Sequence, residues 1–550
     1  MMRTAFPRSG LLPSGTPSCT CARQASHFPA SLSTSSAPPP PPLPSLYAQP
    51  TTPALANSLD NPAWSDPAYL RRYRDPNRHD ALLTNLAAAG PSTLQKRGVE
   101  TAATSGGTAN GNGNGVKGQR SRRNRLEMEA LWSGGDFSPP IPLESYRAQT
   151  TRPRHALLFP GSGSQYVGMG MFLRKEKPAQ DVWAEAEDAL EGFEEWRKGL
   201  RLHEHDGELG QLGRMLDEAE TARRKEPKLR QVVFEGPQDE LTRSSNAQPA
   251  ILVTSLAFLR TLEQHYDLPL SRTSSLILGH SSGEYSAAVA TGALSLTDGV
   301  RLTRLHGLLT HHALSLPSIG LSPDVDAPPA LRGQMSALVL NPGHSHAELT
   351  EVIAKIRARR TKMTGSEGTV EVASFNSSTQ VVLAGTRDGI LRASEVLKEL
   401  EIASRAADLP VSAPFHCSFM APAAAGMHAA LTSSSIALHT PSSPLVSGLD
   451  ASLITTPSSL VSNLVAQISL PVRWSSCLSS LPTTHGVRRL IFLGPGQALA
   501  NLARRDAKLL KEAEIAAGAA RDGDETEVLS VATEKDMERL RETWEDEDGA

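Results

Sequence analysis

Short apolar runs bounded by glycine, proline and polar turns alternate with segments of helical period from about residue 154 to 520, the pattern of strands threaded between helices in an α/β domain. His155 to Leu158 and Leu276 to Gly279 read as buried strands of a parallel sheet, because neither run alternates with polar residues. Between 333 and 411 the order of elements changes. A strand over Met335–Leu340 is followed by a helix over His346–Arg359, strands over Val370–Phe375 and Gln380–Ala384, a helix over Asp388–Leu400 and a last strand. That βαββαβ order predicts a small ferredoxin-like subdomain inserted into a larger parallel-sheet subdomain.

Outside this core the pattern weakens. Residues 174–235 hold charged helical stretches such as Trp183 to Leu190 and predict an exposed helical insertion. The segment 522–550 is rich in acids and predicts a solvent-exposed tail. Residues 60–150 read as a linker without a core, with the flexible run SGGTANGNGNG over 105–115. Residues 1–59 contain no Asp or Glu but include Arg3, Arg8 and Arg23 among many serines and threonines, followed by the stiff Pro38 to Pro42 run. This is the composition of a transit peptide with a Pro-rich leader, and it lacks the continuous apolar stretch of about 7 to 15 residues that a secretory signal needs. Import into the mitochondrial matrix is the expected destination.

Composition narrows the function class. The 550 residues carry a formal net charge of −3, which gives no electrostatic reason to expect a nucleic-acid partner. No run approaches the roughly 18 apolar residues of a membrane span. Cys19, Cys21, Cys417 and Cys477 lack metal-ligand spacing, so no bound metal is expected.

The candidate chemistry starts at Gly279-His280-Ser281-Ser282-Gly283, placed between an apolar run and a helix-forming stretch. Glycines at both ends allow a sharp strand-to-helix turn that lifts Ser281 Oγ clear of the sheet. The Ser282 N–H and the start of the following helix then offer fixed dipoles to an oxyanion. A serine nucleophile needs a base, and His416 follows the proline-punctuated segment Leu409 to Phe415. His203, His205, His344 and His346 lie in charged or flexible stretches and read as solvated surface residues.

Several segments together resemble the malonyl-CoA:acyl carrier protein transacylase family, from about Arg154 to Asp506. Phe159 to Gln165 (FPGSGSQ) is similar to the family's FPGQGSQ, Asn246 to Ala250 to its TQPA segment, and the elbow with Glu284 to its GHSxGE. Ser374 to Gly385 resembles FNSPxQVVIAG, and Pro410 to His416 resembles PVSxPFH. Gln467 precedes Pro471-Val472-Arg473-Trp474 as a glutamine precedes PVxW in the family, and Leu493 to Gly496 matches its GPG turn.

The resemblance implies ping-pong transfer of a malonyl group from malonyl-CoA, through an acyl-serine on Ser281, to the phosphopantetheine thiol of acyl carrier protein. No cofactor is bound, since the phosphopantetheine belongs to the partner. His416 would act as general base, oriented by the main-chain carbonyl of Gln467. The backbone N–H groups of Ser162 and Ser282 would form the oxyanion hole, and Gln165, Gln248, Asn376 and His306 would bind substrate. The chain is expected to act as a monomer, with Phe415 favouring a small acyl group.

Two positions depart from the family. Ser162 replaces a glutamine, which keeps the N–H and shortens the side chain. His306, 25 positions after Ser281, stands where the family has an arginine that grips the malonyl carboxylate. Histidine cannot make the bidentate pair and is not permanently charged. Arg304 and Arg301 lie roughly 200° and 140° around the helix from that position and are poorly placed to substitute. Transfer of an uncharged short acyl group, a serine hydrolase and a non-catalytic binding homologue therefore remain as alternatives.

Overall fold

A computed structural model describes residues 154–221, 228–323, 328, 331–364, 370–409, 411–516 and 525–549. The leader, the linker and the cysteines at positions 19 and 21 lie outside the described residues.

Strand β1 (His155–Phe159) leads through a glycine-rich loop to α1 (Lys177–Glu191) and α2 (Gly207–Thr221). Helix α3 (Ser244–His265) precedes β2 (Leu276–Gly279), α4 (Gly283–Ala290) and α5 (Leu296–Ala313). Next come β3 (Gly333–Leu340), α6 (His346–Thr364), β4 (Val370–Phe375), β5 (Gln380–Thr386), α7 (Arg387–Glu399) and β6 (Ala403–Asp408). The chain returns through α8 (Ala421–Leu431), the short β7 (Leu445–Val446) and β8 (Leu453–Ile454), and α9 (Pro457–Ala466). It ends with α10 (Trp474–Thr483), β9 (Arg489–Leu493), α11 (Ala498–Ala516), β10 (Glu527–Val531) and α12 (Glu534–Gly549).

The larger sheet has the order β10-β9-β1-β2-β7-β8, parallel throughout except at its β8 edge. β1, β2 and β9 are buried along their whole length because helices cover both faces, which is why their sequences are continuous apolar runs. The smaller sheet, β4-β5-β3-β6, is antiparallel in every pair. Its strands and helices follow the βαββαβ order, with α6 and α7 contributing Leu349, Ile353, Ile390 and Leu397 to a separate apolar core.

Two regions differ from the sequence expectation. The segment at 174–235 is not simply an exposed insertion. Ala179, Val182, Trp183, Ala186 and Ala189 form a buried stripe on α1 that joins the main core, and only the opposite face carries the charges. Likewise, the acidic segment at 522–550 is not a free tail. β10 pairs in parallel with β9, and α12 buries Met537, Leu540 and Trp544 on the sheet, the Trp544 ring lying edge-on to His155 at 5.1 Å. Charge content concealed the apolar residues spaced three and four apart.

Candidate active site

The turn from β2 into α4 places Ser281 in the left-handed region at φ 55°, so the serine rather than a glycine adopts the unusual backbone. The flanking glycines serve close packing instead. A Cβ at Gly279 would lie 2.0 Å from the Gly283 carbonyl carbon, and one at Gly283 would lie 2.6 Å from the Phe159 carbonyl oxygen. With both absent, α4 starts directly against β1 and Ser281 is held at the head of the helix by the Glu284 N–H, which donates to the Ser281 carbonyl at 3.0 Å.

His416 reaches the same point from the segment after the small sheet. It too is left-handed, at φ 59°, and its N–H donates to the Ile468 carbonyl at 3.2 Å. Glu371 on β4 accepts from the Ser418 N–H at 3.1 Å and from its hydroxyl, while Arg357 on α6 pairs with Glu371 at 3.0 Å. The small subdomain thus fixes the loop that carries His416.

Ser281 Oγ lies 2.7 Å from His416 Nε2, and His416 Nδ1 lies 2.6 Å from the Gln467 carbonyl. A carbonyl only accepts, so Nδ1 carries the proton and Nε2 is the lone pair facing the serine. Burial lowers the imidazole to a pKa of about 4, with the Gln467 carbonyl working the other way and His280 adding a smaller lowering. Gln467 is the C-cap of α9, a helix whose start is fixed by a Thr456–Ser459 capping box with Pro457 in the first turn.

The other sequence-selected residues divide. Ser162 and Ser282 come together: the Ser162 N–H donates to Ser282 Oγ at 3.1 Å, and the two hydroxyls are 3.3 Å apart. Gln165 folds back, its Oε1 accepting from the Gly163 N–H at 2.7 Å. Asn376 does not present its amide to a substrate: its Oδ1 bonds His280 Nε2 at 3.0 Å and accepts from Ser374 at 2.5 Å, and its Nδ2 donates to Gln380 at 3.1 Å. It braces the residue before Ser281. Gln248 is buried on α3, and its Oε1 has no hydrogen-bond partner among the described residues.

His306 is 5% exposed on α5, and neither ring nitrogen has a hydrogen-bond partner among the described residues. Its ring centroid is 6.1 Å from that of Tyr285. Burial, with a contribution from nearby His416, lowers it to a pKa of about 3, so the ring is neutral. Arg304 turns away, donating to the Ser245 carbonyl at 2.9 Å and to Asn246 at 2.5 Å, and Arg301 reaches the Ala189 carbonyl at 3.5 Å. Neither replaces the missing guanidinium.

Sequence reasoning placed Glu284 in the elbow motif without giving it a role and overlooked Asn463; both sit behind Gln467. A lone acid within the apolar helix GEYSAAVA was the available signal, since a buried carboxylate requires donors. Among the described residues, no group of three or more His, Cys, Asp or Glu could hold a metal ion, and Cys417 and Cys477 are buried thiols.

Residues 156–317 match the family model "Acyl transferase domain". The chain is 32% identical over 356 residues to the malonyl CoA-acyl carrier protein transacylase of Bacillus subtilis strain 168, covering 65% of this chain and 91% of that protein. The crystal structure of an acyl-carrier-protein-S-malonyltransferase from Bartonella henselae matches with a TM-score of 0.53 and 29% identity, over 71% of this chain and 99% of that one. A malonyl-transacylase solved in complex with a type II PKS acyl-carrier protein matches with a TM-score of 0.53 and 26% identity, over 71% and 99% of the two chains. With relatives covered almost end to end and the Ser281–His416 pair set on a shared fold, the chain belongs to the malonyl CoA-acyl carrier protein transacylase family.

Proposed function

We propose that the protein transfers a malonyl group from malonyl-CoA to the phosphopantetheine thiol of acyl carrier protein, feeding fatty acid synthesis. The observation that carries this reading is the Ser281–His416–Gln467 line, with contacts of 2.7 and 2.6 Å. His416 Nε2 takes the Ser281 hydroxyl proton as Oγ attacks the thioester carbonyl. The imidazolium so formed donates through Nδ1 to a helix C-terminal carbonyl, the negative end of the α9 dipole. Collapse of the tetrahedral intermediate breaks the C–S bond, and His416 returns its proton to the departing CoA sulfur. The second half repeats the sequence in reverse: His416 deprotonates the incoming thiol, which attacks the acyl-serine and restores the Ser281 hydroxyl. The N–H groups of Ser162 and Ser282 stabilise the oxyanion in both halves, each such donor being worth about 3 to 4 kcal/mol.

One observation favours a second reading. His306 is neutral and buried where the family has arginine, which suits an uncharged short acyl group better than a carboxylate. The acid-free, arginine-bearing composition of residues 1–59 supports delivery to the mitochondrial matrix, where the protein would act as a monomer.

The test is acyl loading of protein lacking the leader, with malonyl-CoA and acetyl-CoA offered separately, before addition of carrier protein bearing phosphopantetheine. Malonyl transfer that disappears in Ser281→Ala is expected. Preferential acetyl loading selects the second reading, release of free acid without transfer indicates a hydrolase, and no loading of either overturns the enzymatic reading.

A further inference from the structure

Behind the reacting pair lies a carboxylate that the steps above do not use. Glu284 is on α4, in the turn after Ser281, and is 4% exposed. Its Oε1 accepts the Gly448 N–H at 2.9 Å, and its Oε2 accepts the Gln467 side-chain amide at 3.0 Å together with the Asn463 amide. All three of these partners are N–H donors. An ionised carboxylate satisfies such a shell, whereas a neutral acid would have to place an O–H among donors.

Asn463 and Gln467 lie four apart, at the last turn and cap of α9, so a single carboxylate oxygen grips both. The main-chain carbonyl of Gln467 faces His416 Nδ1, and its side-chain Nε2 also reaches the Ser281 carbonyl at 3.3 Å. One residue thereby connects the carboxylate to both reacting partners.

We propose that Glu284 is a positioning residue: through Gln467 it fixes the carbonyl that holds the reactive tautomer of His416, and its buried charge stabilises the imidazolium formed when His416 takes the serine proton. It does at one remove what the directly bonded carboxylate does in a Ser-His-Asp triad. The inference rests on the reading of Ser281 and His416 as nucleophile and base.

The surroundings make this charge titratable. Burial raises the Glu284 carboxyl to a pKa of about 8, the Gly448 and Asn463 hydrogen bonds oppose that shift, and Asp450 adds a smaller rise. Tyr285 on its own helix and Cys477 on α10 both have their ionisation pushed up, in part by Glu284, and stay neutral. Below about pH 8 the carboxyl is increasingly protonated and its electrostatic help is withdrawn. Acyl loading should therefore gain a step as pH rises through that value.

The experiment measures kcat and KM for loading from malonyl-CoA between pH 5.5 and 9.5, in the wild-type chain, Glu284→Gln, Gln467→Met and the double variant. Glu284→Gln is expected to lower kcat by about 10- to 100-fold, part of the 10²–10⁴ that general-base catalysis supplies, with KM changed less than about threefold and the step near pH 8 gone. Gln467→Met keeps the carbonyl but cuts the link, so kcat should fall and the double variant should be no slower than Glu284→Gln. Additive losses, or a folded Glu284→Gln with wild-type kcat and the step intact, overturn the inference while leaving the acyl-serine reading in place. If Glu284→Gln does not fold, Gln467→Met decides: wild-type kcat there overturns the proposal. Absence of acyl-serine in the wild type overturns the parent reading and this one with it.

Discussion

Ser281 and His416 meet at 2.7 Å across 135 residues of chain, and both hold left-handed backbone, at φ 55° and 59°. Such conformations store about 1–3 kcal/mol in a non-glycine residue and persist only where neighbouring structure enforces them. At Ser281 the enforcement comes from α4, β1 and the packed glycines, so the strain falls on the residue proposed as nucleophile. Ser281→Gly should abolish acyl loading and stabilise the fold by about 1 kcal/mol, the relieved strain exceeding the entropy of the added glycine. A thermal melt reads this directly. A variant less stable than wild type would show that the elbow is not strained.

The lowered pKa of His416 fixes the acid side of the rate profile. A histidine depressed to about 4 remains an unprotonated base above that value, and base catalysis is lost only as pH falls through it. In Glu284→Gln, where the step near pH 8 is gone, loading from acetyl-CoA, which carries no titrating acyl group, should hold a constant kcat/KM from about pH 5 to 7. A limb centred near the ordinary value of about 6.5 would mean that water reaches the imidazole and the buried geometry is not that of the working enzyme.

The Ser281–His416 pair was legible because the elbow is a local string with a recognisable turn and the PVSAPFH segment resembles a family string that ends in histidine. The two-subdomain plan followed from elements whose period is strong. What escaped was direction and distance. Asn376 lies in a family-like segment, yet nothing in the string shows that its side chain points back to His280. The Ser162–Ser282 contact joins residues 120 apart and follows from two serines only once the loop and the elbow are placed together. Glu284, Asn463 and Gln467 come from two helices, and their shared hydrogen bonds arise from packing rather than from either helix alone.

His306 should make malonyl use pH-dependent. It is neutral, with a pKa near 3 from burial. A malonyl carboxylate beside it favours the imidazolium and raises that value, so binding draws in a proton. The sign follows: the attraction is present at low pH and fades as pH rises through the raised value. The ratio of malonyl to acetyl kcat/KM should fall as pH rises through that raised value, and His306→Arg should flatten it, since arginine stays charged throughout. A ratio flat in the wild type removes His306 from malonyl recognition.

Ser282 Oγ accepts the Ser162 N–H, one of the two donors assigned to the oxyanion. The hydroxyl must give up that bond when the tetrahedral intermediate forms. A neutral hydrogen bond is worth about 0.5–1.5 kcal/mol net, so Ser282→Ala should raise the rate of acyl-serine formation by up to about tenfold. Rapid-quench measurement of the first turnover checks this. A fall would instead mean that the Ser282 hydroxyl donates to the oxyanion itself.

The C-terminal strand and helix carry stability that their charge conceals. Val531, Met537, Leu540 and Trp544 are each less than 5% exposed, and Trp544 lies edge-on to His155 at the start of β1. β1 runs directly into the loop that holds Ser162, so loosening its start disturbs the floor of the site. Trp544→Ala should cost about 3–5 kcal/mol through lost burial and the cavity left behind. Truncation after residue 522 removes β10 as well and leaves β9 as an unpaired edge, so the shortened chain should aggregate. Denaturant unfolding of Trp544→Ala and sedimentation of the truncated protein test the two claims. A Trp544→Ala variant within about 0.5 kcal/mol of wild type would show that α12 is a loosely held surface helix, the behaviour its acidic sequence suggests.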